Sequence, residues 1–146
     1  MKKTLSILLA VVLLLSLSVN ALAAEMTPTA NKNTLSAGEE VVVTISLNED
    51  IQDIVTMNYK LYFDNSVFEL TKTEQVNPSI NVAAGKDTDK DGTFYNISCM
   101  DVLSEGITIA RGDLCRLTFR AKTDLTENKE SSFRLVFDNA MDNKFD

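Results

Sequence analysis

The sequence predicts an all-β domain, a sandwich or a barrel, and three observations carry that reading. Beyond residue 25 the apolar residues recur at every second position, the mark of strands with one buried face. Turn-forming residues separate these runs at intervals of about 8–12 residues. No stretch of helical length places apolar residues at i, i+3, i+4 and i+7. The count of such runs gives about eight strands.

Taken in order, a short strand precedes Ala30, and the first strong one is Val41 to Leu47. There Val41, Val43, Ile45 and Leu47 share one face, while Val42, Thr44 and Ser46 share the other. Met57, Tyr59, Leu61 and Phe63 form the next inward face. Weaker strands fit Phe68–Val76, Ile80–Ala84 and Thr93–Met100. Cys115, Leu117, Phe119 and Ala121 then alternate with Arg116, Thr118 and Arg120, and Phe133, Leu135 and Phe137 with Arg134 and Val136. The intervening turns are Ser36-Ala37-Gly38, Asp64-Asn65-Ser66, Asn77-Pro78, Asp91-Gly92 and Arg111-Gly112-Asp113. Glycine supplies positive φ at such places, and Asp or Asn bonds its own backbone. With no internal repeat or linker, one domain over residues 25–146 is enough.

Residues 1–24 read as a bacterial secretory signal peptide. Lys2-Lys3 forms a positive start, Leu5 to Val19 a short apolar run, and Ala21-Leu22-Ala23 a small-x-small cleavage pattern. The run is short of the about 20 apolar residues a membrane span needs. No Cys follows it to carry a lipid. The expectation is a secreted or cell-surface domain of 122 residues with no membrane span after cleavage. Cleavage removes two lysines and no acid, so the formal charge moves from −7 to −9. That charge leaves no electrostatic footprint for nucleic acid.

Composition narrows the chemistry further. The absence of His removes His-based triads and His metal sites. No nucleophile is paired with a base, no glycine-rich phosphate cradle appears, and no carboxylate pair stands out for glycoside hydrolysis. The chain reads as a non-enzyme without a cofactor of its own. Asp87-Thr88-Asp89-Lys90-Asp91-Gly92 leaves two readings open. Asp87, Asp89 and Asp91 match the first half of a calcium loop, but Ser98 stands where the bidentate Glu belongs. The other reading is a hairpin turned at Asp91-Gly92. Arg111-Gly112-Asp113 is most simply the turn before a strand.

Three segments together resemble the cohesin domain, the jelly-roll module of bacterial cellulosome scaffolds. Gly38-Glu39-Glu40-Val41-Val42-Val43-Thr44-Ile45-Ser46-Leu47 is similar to the family's opening strand. Asn58-Tyr59-Lys60-Leu61-Tyr62-Phe63-Asp64-Asn65-Ser66-Val67-Phe68-Glu69-Leu70 resembles its "F-x-hydrophobic-x-Y-D-P-x-V-L-E" segment, with Phe63 at the Tyr place and Asn65 at the Pro place. Gly106-Ile107-Thr108 through Gly112-Asp113-Leu114-Cys115-Arg116-Leu117-Thr118-Phe119-Arg120-Ala121 is similar to its "G-x-L-A-T-L-T-F-K-A" strand. The matches run in the family's order over most of the chain beyond residue 24.

The resemblance implies a β-sandwich with jelly-roll topology. It also implies a further strand after Phe137, so the final strand is either abbreviated here or lies beyond Asp146. Cys99 and Cys115 could close a disulfide in an exported chain. The resemblance instead puts them on different sheets, about 10 Å apart and beyond disulfide reach. Its functional implication is a binding module for dockerins, calcium-loaded helical pairs carried by secreted polysaccharide-degrading enzymes.

If Met57, Tyr59, Leu61 and Phe63 face the core, then Thr56, Asn58, Lys60 and Tyr62 face outward at about 6.5–7 Å spacing. These four are the candidate partner-binding residues, with Tyr62 as an exposed aromatic anchor. Asn96 and Ser98 join them from a neighbouring strand. The rival readings are direct polysaccharide binding and a structural or adhesive surface domain. The former would have to work with no Trp and only Tyr59, Tyr62 and Tyr95.

Overall fold

The computed structural model describes residues 25–78, 80–81, 85–100, 105–125 and 133–142. Residues 1–24, the expected signal peptide, lie outside the described residues. The ten strands among the described residues are β1 (Met26–Ala30), β2 (Glu40–Leu47), β3 (Ile51–Tyr62), β4 (Phe68–Gln75), β5 (Ile80–Asn81), β6 (Lys86–Asp89), β7 (Gly92–Met100), β8 (Ile107–Ile109), β9 (Gly112–Ala121) and β10 (Arg134–Asp142). One sheet has the order β1-β2-β9-β4. The other runs β10-β3-β7-β5, with β6 also on β7 and β8 also on β3. The two pack as a β-sandwich of the predicted jelly-roll class.

Alternation builds the core as expected. Val41, Val43, Ile45 and Leu47 of β2 meet Met57, Tyr59, Leu61, Ile97 and Cys99 of the facing sheet, together with Leu117 and Phe119 of β9, all buried. Phe63 and Phe68 both pack on Phe119, with ring centroids 5.0 and 6.1 Å away. No polar or charged residue among those described is fully buried. The interior is held by apolar burial, and hydrogen bonding is left to the sheets and the surface.

Several elements depart from the sequence expectation. β3 begins at Ile51, six residues before the predicted start, because Asp53 takes a positive φ of 59° and absorbs the break in alternation at Gln52-Asp53. Its first turn of pairing is with β8, a strand the sequence did not predict. β6 forms in the acidic segment, where propensity is low, because a two-residue turn lays it on β7 with Asp89 opposite Gly92.

β10 runs on to Asp142, past Phe137, through a bulge between Phe137 and Asn139. Phe137 is 54 % exposed instead of buried. It lies on an edge strand of the described sheet, where its ring and that of Tyr59 meet edge to face with centroids 5.4 Å apart. The predicted residues 82–84 of the fifth strand lie outside the described residues.

β1 is the other informative edge. The Asn31 N–H donates to Val42 and the Asn48 N–H to Glu25, at 3.1 and 3.2 Å. That phase turns the backbone groups of Met26, Pro28 and Ala30 away from β2, toward the open edge. Pro28 therefore sits where its missing N–H interrupts the free edge.

Candidate functional site

The outer face of the six-stranded sheet gathers all six predicted partner-binding residues. Register sets them in rows across β10, β3 and β7: Met141–Thr56–Met100, then Asn139–Asn58–Ser98, then Val136–Lys60–Asn96, then Arg134–Tyr62–Phe94. Each row occupies one strand repeat of about 6.5–7 Å. The inward neighbours Met57, Tyr59, Leu61, Ile97 and Cys99 are anchored in the core, so the outward residues cannot slip register without exposing it.

Side chains are tied along this face. Ser98 Oγ donates to Asn58 Oδ1 at 2.6 Å, and Asn58 Nδ2 donates to Asn139 Oδ1 at 2.7 Å. Asn139 Nδ2 in turn donates to Asp138 at 3.2 Å. Lys60 lies between two carboxylates, 3.4 Å from Asp138 and 3.5 Å from Asp89. Burial opposes its charge, but the Asp138 and Asp89 carboxylates outweigh that and raise its pKa. The Thr56 and Asn96 side chains make no hydrogen bond among the described residues, and Thr56, Asn58, Lys60, Asn96 and Ser98 are all half-buried.

Tyr62 departs from the expectation of an exposed anchor. It lies on the outer side yet is only 8 % exposed. The Arg134 guanidinium covers its ring at 4.2 Å, Phe94 packs beside it at 5.4 Å, and its hydroxyl donates to Asp89 at 2.8 Å. Desolvation and the Asp89 hydrogen bond raise the pKa of Tyr62. Desolvation acts against the Asp89 charge, but hydrogen bonds from Tyr62, the Asp91 amide and Lys60 prevail and lower its pKa. Lys60 also lies 4.8 Å over the Phe94 ring. The charged and aromatic side chains at this end are committed to one another, beside an open cavity of about 580 Å³ bordered by Tyr62, Arg134, Asp64, Asp91 and Thr93.

The acidic segment forms a hairpin that turns at Lys90-Asp91, one residue before the expected Asp91-Gly92. Asp89 Oδ1 accepts from the Asp91 amide at 2.9 Å and Oδ2 from Tyr62, while Asp87 accepts from the Thr88 amide at 2.7 Å. Asp87, Asp89 and Asp91 do not assemble a metal-holding group; none of three or more acidic or Cys side chains exists among the described residues. Asp113 of the Arg-Gly-Asp turn is committed as well, accepting from Ser46 and Arg116 at 2.9 and 3.0 Å.

Tyr59 and Tyr95 are buried like Tyr62, so no tyrosine offers a sugar-stacking platform. Cys99 and Cys115 are free and buried, on opposite sheets, and burial pushes both thiols up to about 12. No helix of the described residues is long and apolar enough to cross a membrane.

Sequence reasoning missed the β10 contribution: Arg134, Asp138, Asn139 and Met141. The alternation ends at Phe137, and a bulge between Phe137 and Asn139 carries the strand on. Met100 and Phe94 were readable, since each is the outward neighbour of a core residue.

The chain is similar to the sixth cohesin of scaffoldin B from Acetivibrio cellulolyticus, solved in complex with a Cel5 dockerin mutant. The TM-score is 0.55 and the identity 18 %, over 83 % of this chain and 89 % of that one. It is similar to the OlpA cohesin of Clostridium thermocellum, solved with the dockerin Doc918, at TM-score 0.57 and 15 % identity over 83 % and 89 %. A non-cellulosomal cohesin from the archaeon Archaeoglobus fulgidus matches at TM-score 0.53 and 19 % identity over 84 % and 81 %. At these identities the likeness shows the fold. No curated protein matches the sequence. The cohesin-domain profile matches residues 25–145, and by that match over most of its length the chain belongs to the cohesin domain family.

Proposed function

We propose that this chain is a secreted, non-catalytic docking module that holds calcium-loaded dockerins of polysaccharide-degrading enzymes on a scaffold or cell surface. The observation that carries the reading is the outer face of β10, β3 and β7 in a cohesin-family domain. Half-buried Thr56, Asn58, Lys60, Asn96 and Ser98 stand there in fixed rows on a rigid sheet. A rigid face loses little freedom on binding, so more of its contact energy appears as affinity. Tyr62 supports that face from beneath Arg134.

Two of the similar structures are named as cohesin–dockerin complexes, which favours the same class of partner here. The archaeal relative is named non-cellulosomal, so a scaffold other than a cellulosome fits the reading equally well. Residues 1–24 supply the export signal in this proposal, and calcium belongs to the partner.

The test is calorimetric titration of residues 25–146 with purified dockerin modules from the same genome, first with calcium and then with chelator. Saturable one-to-one binding that chelator abolishes is expected. A folded domain that binds none of them in either condition refutes the proposal.

A further inference from the structure

The two ends of the outer face differ in chemistry, and the difference says where a partner seats. At the Tyr62 end the charged and aromatic groups satisfy one another. Lys60 is shared by Asp89 and Asp138, the Tyr62 hydroxyl is given to Asp89, and Arg134 lies flat on the Tyr62 ring. A partner docking there would have to displace contacts that already exist. At the opposite end no described hydrogen bond or ion pair engages the side chains of Thr56, Met100 or Met141. Thr56 occupies the middle strand with Met141 opposite it on β10 and Met100 opposite it on β7.

Met100 is 47 % exposed, one of three exposed large hydrophobic residues among those described. Met141 is half-buried. Two strand spacings separate the methionines, about 10 Å. The short Thr56 side chain stands between them in register, so a seat for an apolar group at Thr56 would have a methionine on either side, and thioethers adapt readily to such a group. In the next row Asn58 is held at both ends of its amide by Ser98 and Asn139.

Resting on the docking reading above, we infer that the dockerin inserts an aliphatic side chain at Thr56 between Met100 and Met141, with the Asn58 amide as the adjoining fixed polar contact. Asn139 is then a positioning residue, acting through Asn58. Charge complementarity points the same way. The lysine of this face is already neutralised twice, so an acidic partner finds no uncompensated ammonium in these central rows. The Met141–Thr56–Met100 row itself carries no charged side chain, so an apolar group entering it displaces no ion pair. Discrimination between dockerins then rests on the size and apolarity of the inserted side chain, not on the sign of its charge.

The experiment uses residues 25–146 and a dockerin module that binds in the calorimetric titration. Met100→Glu and Met100→Lys are made in parallel, since an exposed position tolerates either without loss of fold. Both are expected to weaken binding by about tenfold or more, and Lys72→Ala, exposed on the opposite sheet, by less than about twofold. Wild-type affinity is expected to change little between low and high salt. Asn139→Ala is expected to weaken binding and to speed solvent exchange of the Asn58 side-chain amide protons in NMR spectra, a readout that simple loss of stability would not single out.

Unchanged binding by both Met100 variants overturns the inference while the docking reading stands. So does weakening by one charge sign with strengthening by the other, or collapse of affinity in salt. A wild-type domain that binds no dockerin overturns the docking reading itself, and the seat with it.

Discussion

Arg134 lies over the ring of Tyr62, its guanidinium carbon 4.2 Å from the centroid, and so turns the aromatic of the outer face into a buried support. The sheet register makes the pair, since Arg134 stands directly across from Tyr62 on the neighbouring strand. Arg134→Ala is expected to uncover the ring and raise tyrosine accessibility to solvent quenchers. Near-ultraviolet dichroism and quenching measurements on the two proteins check this.

The Tyr62–Asp89 hydrogen bond gives a pH signature. Asp89 has a pKa lowered from its ordinary 3.8, so the folded state binds fewer protons there than the unfolded chain. Its contribution is complete above the unfolded value and is lost as pH falls through the folded one. Tyr62→Phe should lower the melting temperature by a few degrees at neutral pH. That deficit should shrink below about pH 4, where protonation of Asp89 removes the charge the hydroxyl was stabilising. A deficit constant across the acid range would assign the hydroxyl another role.

The thiols of Cys99 and Cys115 should be inert in the folded domain. Both are fully buried and, at a pKa of about 12, protonated at any physiological pH. Disulfide-exchange reagents are expected to label neither under native conditions and both in denaturant. Fast native labelling of either would show that the sandwich opens locally.

Leu117 sits at the centre of β9, fully buried between the sheets. Leu117→Ala should cost about 2–5 kcal/mol, the usual range for removing a packed aliphatic side chain and leaving a cavity. Denaturant unfolding of wild type and variant measures it.

Pro28 lies on the edge of β1 that no described strand pairs. Pro28→Val restores an outward N–H between Met26 and Ala30 and completes a row able to pair with another chain. The variant is expected to self-associate at concentrations where wild type stays monomeric, as light scattering will report.

Much of this fold was legible in the sequence because alternation reports burial directly. Val41 to Leu47 and Cys115 to Ala121 lie where the pattern put them, since each has one core face and one solvent face. The pattern failed where geometry, not burial, decides. Asp53 at positive φ lets β3 begin six residues early, and the Asp138 bulge carries β10 past Phe137, where the alternation ends. Phe137 was misplaced because alternation states which side of a strand a residue occupies, not whether anything lies above it.

The outward row of β3 could be read from the inward one. The β10 half of the face could not, because which distant strand pairs with β3 within the sheet is a long-range fact. Tyr62 shows the same limit: it points outward as its position requires, and only Arg134 of the neighbouring strand covers it.

The central pair of the four-stranded sheet joins Glu40 to Arg120 and Leu47 to Gly112. Nothing made before β9 can complete that sheet, so a ribosome must release almost the whole domain before a stable core exists. Contacts this distant in sequence slow folding. A nascent chain with this wiring has no stable core while it is being synthesised. In the export proposed for residues 1–24, the topology that makes the finished domain rigid would also postpone that rigidity until the chain has crossed the membrane.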